Sequence, residues 1–125
     1  MTALGYRERS LVWQHEYETD FTILSRGALE QLTGPVVHPG KNTLVAPHCI
    51  AVIPYASPDY VMAAHSALAV ITEVGGAFAH LVQVSEGATI LQVENAREKY
   101  PLGTTVQIDL REMCLSTDRT PQESV

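Results

Sequence analysis

The run Ala67-Leu-Ala-Val-Ile-Thr-Glu-Val-Gly-Gly-Ala-Phe-Ala-His80 constrains the fold of this chain more than any other stretch. Its apolar segment, Leu68 to Ile71, ends at Thr72-Glu73. Gly75-Gly76 follows, and His80 opens a new apolar-periodic segment, Leu81-Val-Gln-Val84. The pattern predicts a buried strand, a glycine turn and a helix over Ala77–Ser85 with an imidazole in its first turn. A helix N-terminus presents unpaired N–H groups and a positive dipole end, which favour an anion. A histidine there tends to stay neutral and keeps a ring nitrogen free as a nucleophile. A nucleophile beside an anion site is what a phosphohistidine requires, so His80 is the candidate phosphoryl acceptor. Gly75-Gly76 either shapes a phosphate site or permits a tight turn. Thr72 and Glu73 either flank that site or form an exposed strand end.

The same residues resemble the phosphohistidine swivelling (mobile) domain of phosphoenolpyruvate-utilising enzymes, such as pyruvate phosphate dikinase and phosphoenolpyruvate synthase. That family carries an alanine-rich strand, Thr-Asp, Gly-Gly, then Thr-Ser-His at a helix start. Thr72-Glu73, Gly75-Gly76 and His80 fall at matching places. Upstream, Ile50-Ala-Val-Ile-Pro54 and Ser57-Pro-Asp-Tyr-Val61 look like the family's strand and turn. Downstream, Asn95-Ala-Arg-Glu98 and Leu102-Gly103 to Val106-Gln-Ile-Asp109 look like its closing hairpin. The resemblance spans residues 34–115. It implies an α/β swivelling β/β/α domain, a small β-sheet sandwich or barrel-like core with packed helices. It also implies a phosphoryl-carrying His80, phosphate contacts at Gly75, Gly76 and Thr72, and a donor or acceptor protein as partner. Phe78-Ala79 replaces the family's Thr-Ser, and Glu86 stands where the family usually has Arg. Both departures favour an alternative, an interaction or oligomerisation module that kept the fold and lost phosphotransfer.

Composition narrows the rest. At 125 residues with 46% hydrophobic and 18% charged content, the chain reads as one folded domain over 1–115, with a disordered tail from Ser116 to Val125. A net charge of -6 and the lack of any Lys/Arg block argue against nucleic acid and acidic membranes as partners. No run approaches the ~18 apolar residues of a membrane span, and the first residues hold no signal core. Cys49 and Cys114 form neither a disulfide framework nor a metal-ligand pattern, so no metal or cofactor is expected and a cytoplasmic setting is the default. His48 with the two cysteines is too scattered a set for metal. His15, His38 and His65 read as surface or turn residues.

Along the chain, Leu11–Leu24 reads as one or two strands. Ser25–Leu32 reads as a short helix closed by Thr33-Gly34-Pro35. His38–Asn42 is a turn, and Thr43–Ala46 and Ile50–Ile53 are strands. Pro58-Asp59 opens a helix reaching Ala67. Leu68–Ile71, Thr89–Val93 and Thr104–Leu110 are strands of one core, with a helical turn over Glu94–Tyr100. Trp13, Tyr17 and Phe21 are core aromatics or, if helical, one face. The chain contains no Walker-type loop. It therefore reads as a stand-alone carrier without its own nucleotide-binding and substrate domains, and Phe78 beside the glycine turn is expected to be covered, either by residues before Gly34 or, more simply, in a homo-oligomer.

Overall fold

A computed structural model describes residues 14–75, 80–85 and 87–119. Eight strands form one mixed sheet: β1 (Gln14–Glu18), β2 (Thr22–Ser25), β3 (Gln31–Val37), β4 (Ile50–Tyr55), β5 (Ala69–Val74), β6 (Ile90–Gln92), β7 (Thr105–Asp109) and β8 (Cys114–Arg119). Their order is β1-β8-β7-β3-β4-β5-β6-β2. A 3-10 turn (Pro58–Tyr60) runs into helix α1 (Val61–Ser66). Helix α2 (His80–Val84) follows β5, and α3 (Ala96–Lys99) follows β6. The fold is mixed α/β with a sheet-dominated core.

Strand β3 divides the sheet. It runs antiparallel to β7 and parallel to β4, and β4, β5 and β6 continue in parallel. The outermost strands, β1 and β2, are nevertheless joined only by Thr19, Asp20 and Phe21. That link spans at most about 14 Å between its flanking Cα atoms, whereas eight flat strands extend about 34 Å. The sheet is therefore curled on itself.

Strand periodicity sorts the core into two layers. Ile50, Val52, Ala69, Ile71 and Leu91 face the interior of the curl, with Val106, Ile108 and Leu115 opposite. The alternate residues, Ala51, Ile53, Val70 and Ile90, face the helices and meet Tyr60, Ala63, Ala64 and Leu81. Burial on both faces explains why β4 and β5 read as continuous apolar runs. Strand β7 shows the opposite pattern: Val106 and Ile108 are buried while Gln107 is exposed.

Several expectations need correction. Ser25–Leu32 is not a helix: β2 ends at Ser25 and β3 starts at Gln31. Thr33-Gly34-Pro35 lies inside β3 instead of closing a helix, because Leu32, Gly34 and Val36 alternate inward and Gln31 to Pro35 pair with β7. Pro35 is tolerated because β4 starts pairing only at Val36. Thr43–Ala46 is not a strand; the Val45 N–H donates to the Ser66 hydroxyl (2.8 Å) instead of to a neighbouring strand. Ser116–Arg119 is not tail but completes β8, pairing with both β7 and β1. Residues 120–125, Trp13 and residues 77–79 of the expected helix lie outside the described residues. Tyr17 is 71% exposed on β1, while Phe21 packs on the inner core. Where described, the other expected strands, and the helix from Pro58, lie within three residues of their anticipated bounds, the largest difference being β5, which runs on to Val74.

Candidate functional site

The parallel strands deliver the site to one rim, where their carboxyl ends converge. His38 follows β3, Tyr55 ends β4, Val74-Gly75 ends β5 and Asn95 follows β6. Open parallel sheets place ligands at this end, where diverging connections leave room. Across β4 and β5, Tyr55 and Val74 are cross-strand partners, and the Ala56 N–H donates to the Val74 carbonyl (3.0 Å).

Thr72 is completely buried, and its hydroxyl donates to the Val74 carbonyl at 2.8 Å. The expectation of an exposed polar strand end therefore does not hold for Thr72. Glu73 is engaged as well, with its carboxylate on Arg97. Gly75 follows directly. A Cβ there would lie 3.1 Å from Ala56 Cβ and 3.4 Å from Leu24 Cδ1, so the close approach of β4 and β2 accounts for a residue without a side chain. The described part of helix α2 runs from His80 to Val84. Leu81 is fully buried among Tyr60, Ala63 and Ala64 and anchors α2 to the helix-side layer. Gly76, Phe78, Ala79 and Glu86 lie outside the described residues.

Sequence reasoning missed a second group on this rim. Lys41 lies 3.6 Å from the Asp59 carboxylate. The neighbouring Tyr55 hydroxyl, and then Asp59, hold the Lys41 ammonium above its usual range. The rings of Tyr55 and Tyr60 meet edge to face at 5.6 Å. Burial, and then Tyr55, push the Tyr60 phenol up. Only the strand register, which turns Tyr55 toward the helices, could have signalled this cluster.

The remaining histidines have structural partners or sit apart. His38 donates from Nε2 to the Tyr100 carbonyl (2.9 Å), and His65 from Nε2 to the Val84 carbonyl (3.0 Å); an acceptor-only carbonyl fixes the tautomer in both. His48 and Cys49 precede β4, and Cys114 starts β8. Among the described residues no three of His, Cys, Asp and Glu converge as a metal group would require. A depression of about 550 Å³ on the rim is lined by His38, Glu73, Asn95, Arg97 and Glu98. A groove of about 510 Å³ lies between Gly27–Leu29, Leu68 and Ala88, at the opposite ends of β5 and β6 and away from Gly75. Among the described residues no helix is long and apolar enough to cross a membrane.

A curled mixed sheet with Gly75 at its parallel rim and His80 in the helix that follows has the layout of a phosphoryl-carrier-type domain. The family model for the mobile domain of PEP-utilising enzymes matches residues 45–112, from Val45 to Glu112. That match covers more than half of the chain, and the chain belongs to this family. No curated protein matches it.

Proposed function

We propose that this chain is a swivelling β/β/α domain that carries a phosphoryl group on His80, between a donor and an acceptor protein. One observation carries the reading. Within the family match, His80 stands in α2, five residues after Gly75, which follows β5 on the rim where the parallel strands end. In the proposed step a ring nitrogen of His80 attacks phosphorus, the donor's bond to phosphorus breaks with its electrons, and an N–P bond forms. Transfer onward reverses the sequence. Gly75 and Gly76 let the backbone approach the group, and Thr72 shapes the strand end through its bond to Val74. A cytoplasmic setting fits the two free thiols, Cys49 and Cys114.

Phosphoramidate, a small phosphoryl donor, tests the acceptor role without a partner protein. His80 should gain an acid-labile, base-stable adduct faster than His48 or His65, and His80→Ala should abolish that adduct. Modification of His80 no faster than of the other histidines would remove the carrier role.

A second reading, an oligomerisation module, is favoured by the apolar rim itself. Val74 is 62% exposed and its cross-strand neighbour Tyr55 is 38% exposed, side by side just before Gly75. A second copy of this chain would cover them.

A further inference from the structure

A phosphoryl group on an imidazole is a dianion, and this chain already carries a net charge of -6. A cation close to the group would stabilise it both on arrival and once bound. Six residues after His80 the sequence places Glu86, a charge of the wrong sign. The question is therefore which cation of the rim faces α2.

Strand alternation answers it. On β5, Val70 faces the helices and Ile71 the interior of the curl, so Glu73 lies on the interior side and Val74 on the helix side. Arg97 is bound to Glu73 and shares its side of the sheet. On β4, Ala51 and Ile53 face the helices, and Tyr55 follows in step. Lys41 is the neighbour of Tyr55, and the Tyr55 ring rests on Tyr60, which packs with Leu81 in the helix-side layer. Lys41 thus stands on the α2 side of the rim and Arg97 on the other. The remaining described cations belong elsewhere: Arg26 pairs with Glu30 before β3, Lys99 with Glu18, Arg111 lies in the β7–β8 turn, and Arg119 ends β8, with β7, β3 and β4 between it and β5.

The base of Lys41 is fixed while its tip is held only loosely, by Asp59 and the Tyr55 hydroxyl. The Asn42 N–H donates to the Asp59 carbonyl (2.7 Å), and the Thr43 hydroxyl donates to the Lys41 carbonyl (3.1 Å), which ties the turn to the 3-10 segment. The ammonium holds Asp59 only at 3.6 Å, with both side chains about half exposed. A loose, hydrated pair of this kind contributes little and is readily exchanged.

We propose that Lys41 is the charge partner of the phosphoryl group on His80, exchanging Asp59 for it as the group arrives; this rests on the carrier reading above. With phosphoramidate as the probe the balance is simple. The His80 nitrogen bonds to phosphorus, the P–N bond of phosphoramidate breaks, and ammonia leaves with the ring proton as ammonium. The experiment follows phosphorylation of His80 and of His48 in the same intact molecule by peptide mapping. His48 precedes β4 at the far end of that strand and serves as the internal reference. Lys41→Gln should slow His80 about five- to tenfold, the size of one partly screened charge contact, and leave His48 unchanged. Lys41→Arg should stay within about twofold of wild type. A wild-type rate at His80 in Lys41→Gln, or an equal fall at both histidines, would overturn the Lys41 assignment while leaving the carrier reading intact. Failure of wild-type His80 to outpace His48 would instead defeat both.

Discussion

The Glu73 carboxylate holds Arg97 twice: one oxygen accepts the Arg97 backbone N–H at 2.9 Å and the other accepts its Nε–H at 3.1 Å. Glu73 lies near the end of β5, and Arg97 is the second residue of α3. An acidic side chain is thereby placed on an unpaired N–H of a helix start, as in a cap supplied from another element. The turn needs that help. Asn95, at the N-cap position, is left-handed (φ 59°) and its side chain makes no capping bond. The pair joins the β6–α3 turn to the strand that leads into Gly75 and His80.

Glu73→Ala should therefore destabilise the protein by about 1 kcal/mol, the usual size of a lost cap with a half-exposed ion pair. Glu73→Gln can still accept the N–H bond and should lose about half as much. Urea denaturation measures both. An unchanged midpoint for Glu73→Ala would mean that the two bonds contribute nothing net.

Gly34 should tolerate substitution poorly. A Cβ at this buried position in β3 would run into the His48 carbonyl, closer than side chains ever approach backbone. The obstacle is main chain beside β4 and cannot rotate away. Gly34→Ala should destabilise by about 2–3 kcal/mol, as overpacking does in a tight core. A melting temperature within a degree or two of wild type would show that β3 shifts freely.

The elements legible in the sequence were those whose pattern is local. The apolar runs of β4 and β5 and the alternation around Val106 and Ile108 announce themselves within a few residues. Strand β3 did not, because Gly34-Pro35 carries a breaker signal that pairing with distant β7 overrides. Gln31 bonds the Asp109 carboxylate (3.2 Å) across 78 positions of sequence. Thr43–Ala46 failed in the opposite sense. It has strand-forming residues but no strand beside it, and Val45 is satisfied by Ser66. The site divides in the same way. Gly75 and His80 lie within six consecutive residues and can be read as a motif. Lys41 reaches the rim only because the turn before β4 folds back on Asp59, a long-range contact that no short pattern encodes.

Acid should weaken the protein partly through Glu18. Its carboxylate accepts from Lys99 Nζ at 2.7 Å and from the Asp20 N–H at 2.9 Å. Those bonds, Lys99 first, hold its pKa below the ordinary 4.5. A depressed folded-state pKa gives stability that is present above the unfolded value and is lost as pH falls through the folded one. Relative to wild type, Glu18→Gln should be less stable near neutral pH by about 1 kcal/mol or less, and the difference should shrink as pH drops below 4.5. Paired urea titrations at neutral and acidic pH test this. A gap that stays constant with pH would show that the charge on Glu18 is not what stabilises this contact.

The apolar rim predicts self-association through the residues beside Gly75. Val74 and Tyr55 form an exposed cross-strand pair there, and the sequence adds Phe78 three residues beyond Gly75. Burying one such side chain in a contact contributes roughly 1.5–3 kcal/mol, and in a symmetric dimer each residue is buried twice. The wild type should therefore sediment as a concentration-dependent dimer. Phe78→Ser and Val74→Ser should each raise the dissociation constant by about tenfold or more, since 1.4 kcal/mol is a factor of ten. Leu102→Ser provides the control. Leu102 is 71% exposed but follows α3 in the link to β7, and its loss should leave the sedimentation unchanged. A wild type that is monomeric at every concentration, or a dimer that dissociates equally with Leu102→Ser, would remove the rim as the contact between copies.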